Sequence, residues 1–186
     1  MKDQEDIPAD VSELIRLGTI ASVTLDPPRC TVDYGDEEDG EGAAVTPPIR
    51  WLMPRAGDTQ VWSPPTVGEQ VVLLVPDGQI AAAVALLGLT QDAFPPGWSS
   101  LTEGMKFKDG ARISYDPEGH ALLAELPAGA TAAIIATGGI RITGAVTIEG
   151  TVTVTGDVVA DGISLKDHRH KDVQAGTAVS GPPKTA

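Results

Sequence analysis

The residues best equipped for coordination chemistry are His168 and His170, set one residue apart in Asp167-His168-Arg169-His170. In an extended chain, positions i and i+2 share a face, so both imidazoles point one way and Arg169 and Lys171 the other. One such pair fills only part of a metal's coordination shell. Three chains about a common axis would bring six ring nitrogens to one point, an octahedral N6 cage, and imidazole suits Fe, Ni, Cu or Zn. The competing reading is a polar, basic cap closing a hydrophobic prism. Ligation is favoured, because two inward histidines per chain are costly to bury without a partner.

The elements that would position this pair lie directly before it. From Gly138 to Gly162 a glycine recurs every six residues, at 138, 144, 150, 156 and 162. Between the glycines, apolar or small residues alternate with polar ones: Ile140 and Ile142, Val146 and Ile148, Val152 and Val154, Val158 and Ala160. Alternation with period two marks half-buried strands, and a glycine at fixed offset marks the corner between them. Short strands and corners in strict phase are the signature of a β-solenoid. A single-chain triangular β-helix needs roughly eighteen residues per coil, so five units give fewer than two coils. Trimerisation solves this, with each chain supplying one strand per layer and the valines and isoleucines meeting on the axis. An antiparallel meander is the alternative, and the strict six-residue phase argues against it.

Composition narrows the function classes. The chain has 186 residues, 41% hydrophobic but only 4% aromatic, which suits a core of stacked valines better than a large globular interior. A net charge of −13 argues against nucleic acid, whose binding depends on clustered cations. Cys30 is the single cysteine, so no intrachain disulfide forms. The start, MKDQEDIPAD, carries no apolar signal core, and Ile80 to Leu89 is far too short to span a membrane. The expectation is a protein made and assembled in soluble form. Three histidines and one cysteine provide no nucleophile–base pair, no G-x-S-x-G string and no phosphate-cradling glycine loop, so no enzyme or small-molecule substrate is expected. Hexapeptide-repeat acyltransferases share the six-residue unit, but they carry many more copies. A tailspike acting on sugars would show aromatics on the repeat, whereas Trp51, Trp62 and Trp98 all precede it.

The N-terminal part reads differently. Residues 9–17, ADVSELIRL, suggest a short helix capped by Asp10 or Ser12. Strands are expected at Gly18–Leu25, Cys30–Tyr34, Val45–Met53, near Thr59–Trp62, at Gln70–Val75 and at Gln79–Leu87, separated by turn signals. The acidic loop at 36–41 reads as a solvated hairpin tip. Five or so strands without a long helix suggest a small closed barrel, with the OB-fold its likeliest type. Phe94-Pro95-Pro96-Gly97-Trp98 is a stiff linker, with Trp98 expected against the barrel or another chain. Two further strands flank the turn at Lys108-Asp109-Gly110, and His120 reads as a surface or interface residue rather than a ligand.

Trp51-Leu52-Met53-Pro54, Ala56-Gly57 and above all Trp62-Ser63-Pro64-Pro65-Thr66-Val67-Gly68-Glu69-Gln70-Val71 resemble the phage baseplate assembly protein V family. The C-terminal His168-x-His170, Val173, Gly176 and Ser180-Gly181-Pro182-Pro183 resemble the same family independently. Met53, inside the first of these strings, and the acidic loop depart from its usual pattern, and neither touches the Trp62–Val71 string or the C-terminal histidines. The resemblance implies an all-β homotrimer, with an N-terminal OB-fold-like barrel followed by an intertwined triple-stranded β-helix. It implies iron held by His168 and His170, a place in the virion at the tip of the tail baseplate after synthesis in the bacterial cytoplasm, and contacts with tail hub and baseplate proteins. The implied function is the central spike of a contractile tail, capping the tube and piercing the bacterial outer membrane. A phage-tail-like bacteriocin or another contractile injection system is the alternative. The expected layout is an N-terminal segment 1–17, barrel 18–90, linker and neck strands 91–119, β-helix 120–166, and metal-binding tip and tail 167–186.

Overall fold

The computed structural model describes residues 13–35, 44–171 and 176. Its residues group into two compact units that divide between Ala132 and Ala133. The first unit holds two sheets. The larger has five strands: β1 (Ile15–Leu25), β2 (Pro28–Asp33), β3 (Arg50–Trp51), β4 (Gln70–Leu74) and β5 (Val84–Leu86), in the order β2-β1-β4-β5-β3. All neighbours are antiparallel except β3 and β5, which run parallel. The ring closes between β2 and the segment leading into β3, through an isolated bridge of Asp33 with Val45 and at Cys30 and Ile49, which exchange both main-chain hydrogen bonds, 3.0 and 2.8 Å long. A five-stranded barrel with this order and one parallel pair has the OB topology, as expected.

Its interior follows from the alternation of the strands. Ile20, Cys30, Val32, Ile49, Trp51, Val71, Leu73 and Ala85 are all buried in one cluster, and Val23, Tyr34, Met53, Ile80 and Leu87 pack against it. The W-x-P-P-T-V-G-E-Q-V string forms the entry to β4. There Gly68 takes φ of +90°, a conformation open to glycine at little cost. The Gly68 N–H donates to the Ile20 carbonyl at 2.8 Å, and the Ile20 N–H donates to the Glu69 carbonyl at 2.9 Å. Glu69 accepts the Thr66 N–H at 2.9 Å, and Gln91 clamps the same turn through the Gln70 N–H and the Gly68 carbonyl.

Several expectations are corrected. Ile15–Leu17 is strand, not helix, because Ile15 pairs with Leu74 and Leu17 with Val72. Sheet pairing overrides the helical spacing of ADVSELIRL, whose first four residues, Asp10 and Ser12 among them, lie outside the described residues. Thr59–Trp62 forms no strand, only an isolated bridge between Ala56 and Gln60. The segment Gln79–Leu87 is strand only at β5, since Ile80–Ala82 makes a single tight helical turn. The acidic loop 36–41 lies outside the described residues.

The smaller sheet is an antiparallel meander of β6 (Glu103–Lys106), β7 (Arg112–Asp116) and β8 (Ala121–Glu125). Trp98 packs on this meander, where the missing side chain of Gly104 leaves room for its ring. Residues 121–125 therefore belong to the meander, so the expected β-helix does not begin at residue 120. His120 sits exposed in the β7–β8 turn, away from any ligand set.

In the barrel, burial pushes the Cys30 thiol up to about 11. It should resist alkylation at pH 8 in the folded protein and react fully in denaturant, as mass spectrometry can read. A raised thiol value favours the fold at low pH. This contribution should fade as pH climbs from the ordinary thiol value of about 8.5 towards about 11. Leu73→Ala should destabilise the barrel by about 2–5 kcal/mol in chemical denaturation.

Candidate functional site

In the second unit, residues 140–157 run extended, with no main-chain hydrogen bond within the chain among the described residues. Gly144 and Gly150, one repeat apart, take φ of +132° and +140°, a shared backbone setting for two successive corners. The apolar rows of the repeat are uncovered: Ile142 is 69% exposed, Val146 58% and Val152 59%.

Order returns at a hairpin just before the histidines. Strands β9 (Val159–Ala160) and β10 (Ile163–Ser164) pair antiparallel, with Ile163 opposite Ala160 and Ser164 opposite Val159. The two turn residues, Asp161 and Gly162, both have positive φ, +48° and +80°, as a two-residue hairpin turn with the right twist requires. The Leu165 N–H donates to the Val158 carbonyl at 2.8 Å, extending the pair.

Asp157 ties the far side down. Its Oδ1 accepts the Lys166 N–H at 3.0 Å, and Ser164 accepts the Asp167 N–H at 2.9 Å. The nearby Ser164 side chain first, and the Lys166 amide second, hold the Asp157 carboxyl below its usual range. A chain of polar contacts thus runs from Asp157 through Ser164 to the residue before His168. The His168 N–H then donates to the Ser164 carbonyl at 3.1 Å.

The two imidazoles lie side by side, ring centroids 5.1 Å apart and nearly perpendicular. His168 Nδ1 lies 3.1 Å from the Ser164 carbonyl and 3.0 Å from that of Leu165. Both partners only accept, so Nδ1 carries the hydrogen and Nε2 remains as the free lone pair. Metal-bound histidines are commonly oriented this way by a carbonyl on the second nitrogen. For His168 that role falls to the main-chain carbonyls of Ser164 and Leu165. Within one chain, among the described residues, no group of three or more His, Cys, Asp or Glu side chains gathers. His168 and His170 are brought together at the end of a turn rather than along the expected strand, while Asp157 and Ser164 were not anticipated. An Asp nine residues before a Lys whose amide it binds leaves no periodic trace.

The barrel identifies the chain's kinship. Residues 16–89 match the Type VI secretion system/phage-baseplate injector OB domain. Through this barrel the chain belongs to the phage baseplate V family. Over 126 residues it is also 35% identical to the spike protein of Escherichia phage P2, a match covering 67% of this chain and 56% of that protein. The chain thus spans little more than half the length of that relative. The match is longer than the barrel, so the likeness to a baseplate V relative extends beyond the OB domain. Among the described residues, no helix is long and apolar enough to cross a membrane.

The hairpin makes a test of its own. Asp157→Ala should speed amide exchange at Lys166 and Leu165 and loosen the His168 ring, with the barrel amides unchanged, as followed by NMR. A lowered carboxyl value stabilises the hairpin above the ordinary Asp value of about 3.9. That stabilisation should be lost as pH falls through the lower folded value, so acid should raise exchange at Lys166 in the wild type.

Proposed function

We propose that this protein is the central spike of a contractile-tail baseplate, a non-enzymatic homotrimer that caps the tail tube and pierces the outer membrane on sheath contraction. The observation that carries the reading is the uncovered repeat joined to an injector OB domain. A chain that leaves its isoleucine and valine rows in water and its strands unpaired needs partners of the same periodicity. Identical chains supply that periodicity automatically. Three of them wound as a triple-stranded β-helix would pair every strand and bury every row. The P2 relative, a spike protein, supports the placement in the virion.

The mechanics follow from that arrangement. Layers about 4.8 Å apart make the five units on the order of 25 Å tall. Interchain hydrogen bonds and a dry, β-branched core resist bending and splaying under axial load. The barrel supplies the attachment to the hub. Its outer face carries Ile15, Leu17, Leu74 and Leu86 on adjoining strands, all solvent-exposed, a surface suited to docking.

His168 and His170 fit a metal on two grounds: their rings adjoin, and His168 keeps Nε2 free. They would hold one iron ion per trimer, with ligands drawn from all three chains. The ion's chemistry would be structural, pinning three chain ends together. The chain's own part is to orient the rings, through the Asp157–Ser164 contacts and the carbonyls beneath His168.

Light scattering on the full chain should give a mass about three times 19.2 kDa. A stable monomer would overturn the spike reading. Val146→Asp with Val152→Asp should lower outer-membrane permeabilisation by assembled tails at least tenfold, and unimpaired tails would remove the piercing role. His168→Ala with His170→Ala should abolish bound iron, read by elemental analysis, yet leave the trimer intact. No metal in wild-type trimer prepared without chelator would remove the site.

A further inference from the structure

The barrel's closing seam has a feature that neither the family nor the spike role assigns. Cys30 and Ile49, the residue just before β3, form the last bridged pair of the seam between β2 and the segment that leads into β3. Carried on, that antiparallel register would set Arg29 opposite Arg50, and then Pro28 opposite Trp51. Pro28 has no N–H to give, so the ladder stops there. Cys30 and Ile49 are a hydrogen-bonded pair, which makes the next position a non-bonded one, where opposed side chains stand closest. Cys30 and Ile49 face the core, so Arg29 and Arg50 both face outward.

Both arginines line the same two hollows beside this seam. Like charges so placed repel, and an anion between them relieves the repulsion. None is supplied by the described residues, among which the one ion pair is Arg112 with Glu125. Arg29 bonds only the carbonyl of Pro28, at 2.7 Å. Beside the arginines a mainly apolar groove is lined by Pro28, Trp51, Leu52, Met53, Ala56 and Val84. Trp51 is 7% exposed, and its indole N–H is buried without an acceptor. A second concavity, between Pro48 and Ala83, is lined by the same two arginines. The pair therefore stands between two hollows, one of them apolar.

We propose that this seam binds an extended acidic segment of a neighbouring baseplate polypeptide. A carboxylate lies between Arg29 and Arg50, and an adjoining apolar side chain lies against Trp51 and Met53. An extended segment suits the site because the ladder halts at Pro28 and leaves the groove open alongside β3. A seam presenting two cations with no ion-pair partner among the described residues selects an acidic partner over a basic one. The nature of the partner as a baseplate subunit rests on the proposed spike role; the acidic-segment preference rests on the seam alone.

The probe is a fluorescein-labelled pentapeptide alternating acidic residues with leucine, compared with its twin carrying amides in place of carboxylates. Fluorescence polarisation with the full chain should show the acidic peptide binding at least tenfold tighter, with the preference shrinking as salt rises. Arg29→Gln and Arg50→Gln, checked for unchanged thermal unfolding, should each remove most of that preference. Arg29→Glu with Arg50→Glu should instead select a lysine–leucine peptide, a reversal that misfolding could not produce. Equal binding of the amide twin, or binding untouched by the charge reversal, would overturn the proposal. So would displacement by an equal concentration of inorganic phosphate, which would mark a bare anion site. Loss of oligomer mass on adding peptide would assign the seam to contacts between copies and overturn it likewise. Oligomeric mass is measured independently, so failure here leaves the spike reading standing.

Discussion

The C-terminal third of this protein is governed by a shortage: its strands have more to pair and bury than one chain can supply. Six residues between corners make a strand too short to fold back on its neighbour, and from 140 to 157 no main-chain bond forms within the chain. Each unmet amide and each exposed valine is a small cost in water and a large gain once paired. The barrel has no such deficit. Its ring closes on itself and its apolar side chains are buried in one cluster. The two units thus differ in kind: one pairs its own strands around a buried core, and the other leaves its apolar rows uncovered.

Between repeat and histidines stands a segment that solves the same shortage locally. The β9–β10 hairpin turns through Asp161-Gly162, and Asp157 reaches across to the Lys166 amide. This converts an extended run into a fixed platform, and the histidine pair inherits its order from it. The placement of His168 over two carbonyls follows from the turn, not from any property of the histidine.

Much of this was legible in the residues. The glycine phase, the strand alternation and the Asp-Gly and Lys-Asp-Gly turns all mark structure through local chemistry, which a sequence displays directly. The barrel type was likewise legible, because five short strands between turn signals leave few ways to close. What misled was local spacing that sheet pairing overrode. Ile15 and Leu17 satisfy a helical reading and a strand reading equally, and only Leu74 and Val72, more than fifty residues away, decide between them. Trp98 was expected on the barrel or another chain, and Gly104 accommodates it on the meander instead. Asp157 and Ser164 went unseen because a polar side chain that binds a distant amide has no period. Arg29 and Arg50 become partners only through the register of a seam.

The hairpin has one more consequence, for what the repeat does not become. A stack of identical strand layers with an open end is a template, and a further copy can add to it as readily as the last. Fibres grow in this way. At β9–β10 the chain turns its edge back on itself, and Leu165, Lys166, Asp167 and His168 spend their amides on Val158, Asp157 and Ser164. Among the described residues, that edge offers no row of free donors to a second particle. In the proposed trimer, growth would stop where the hairpin closes, and a sequence patterned like an aggregating one would have a defined length.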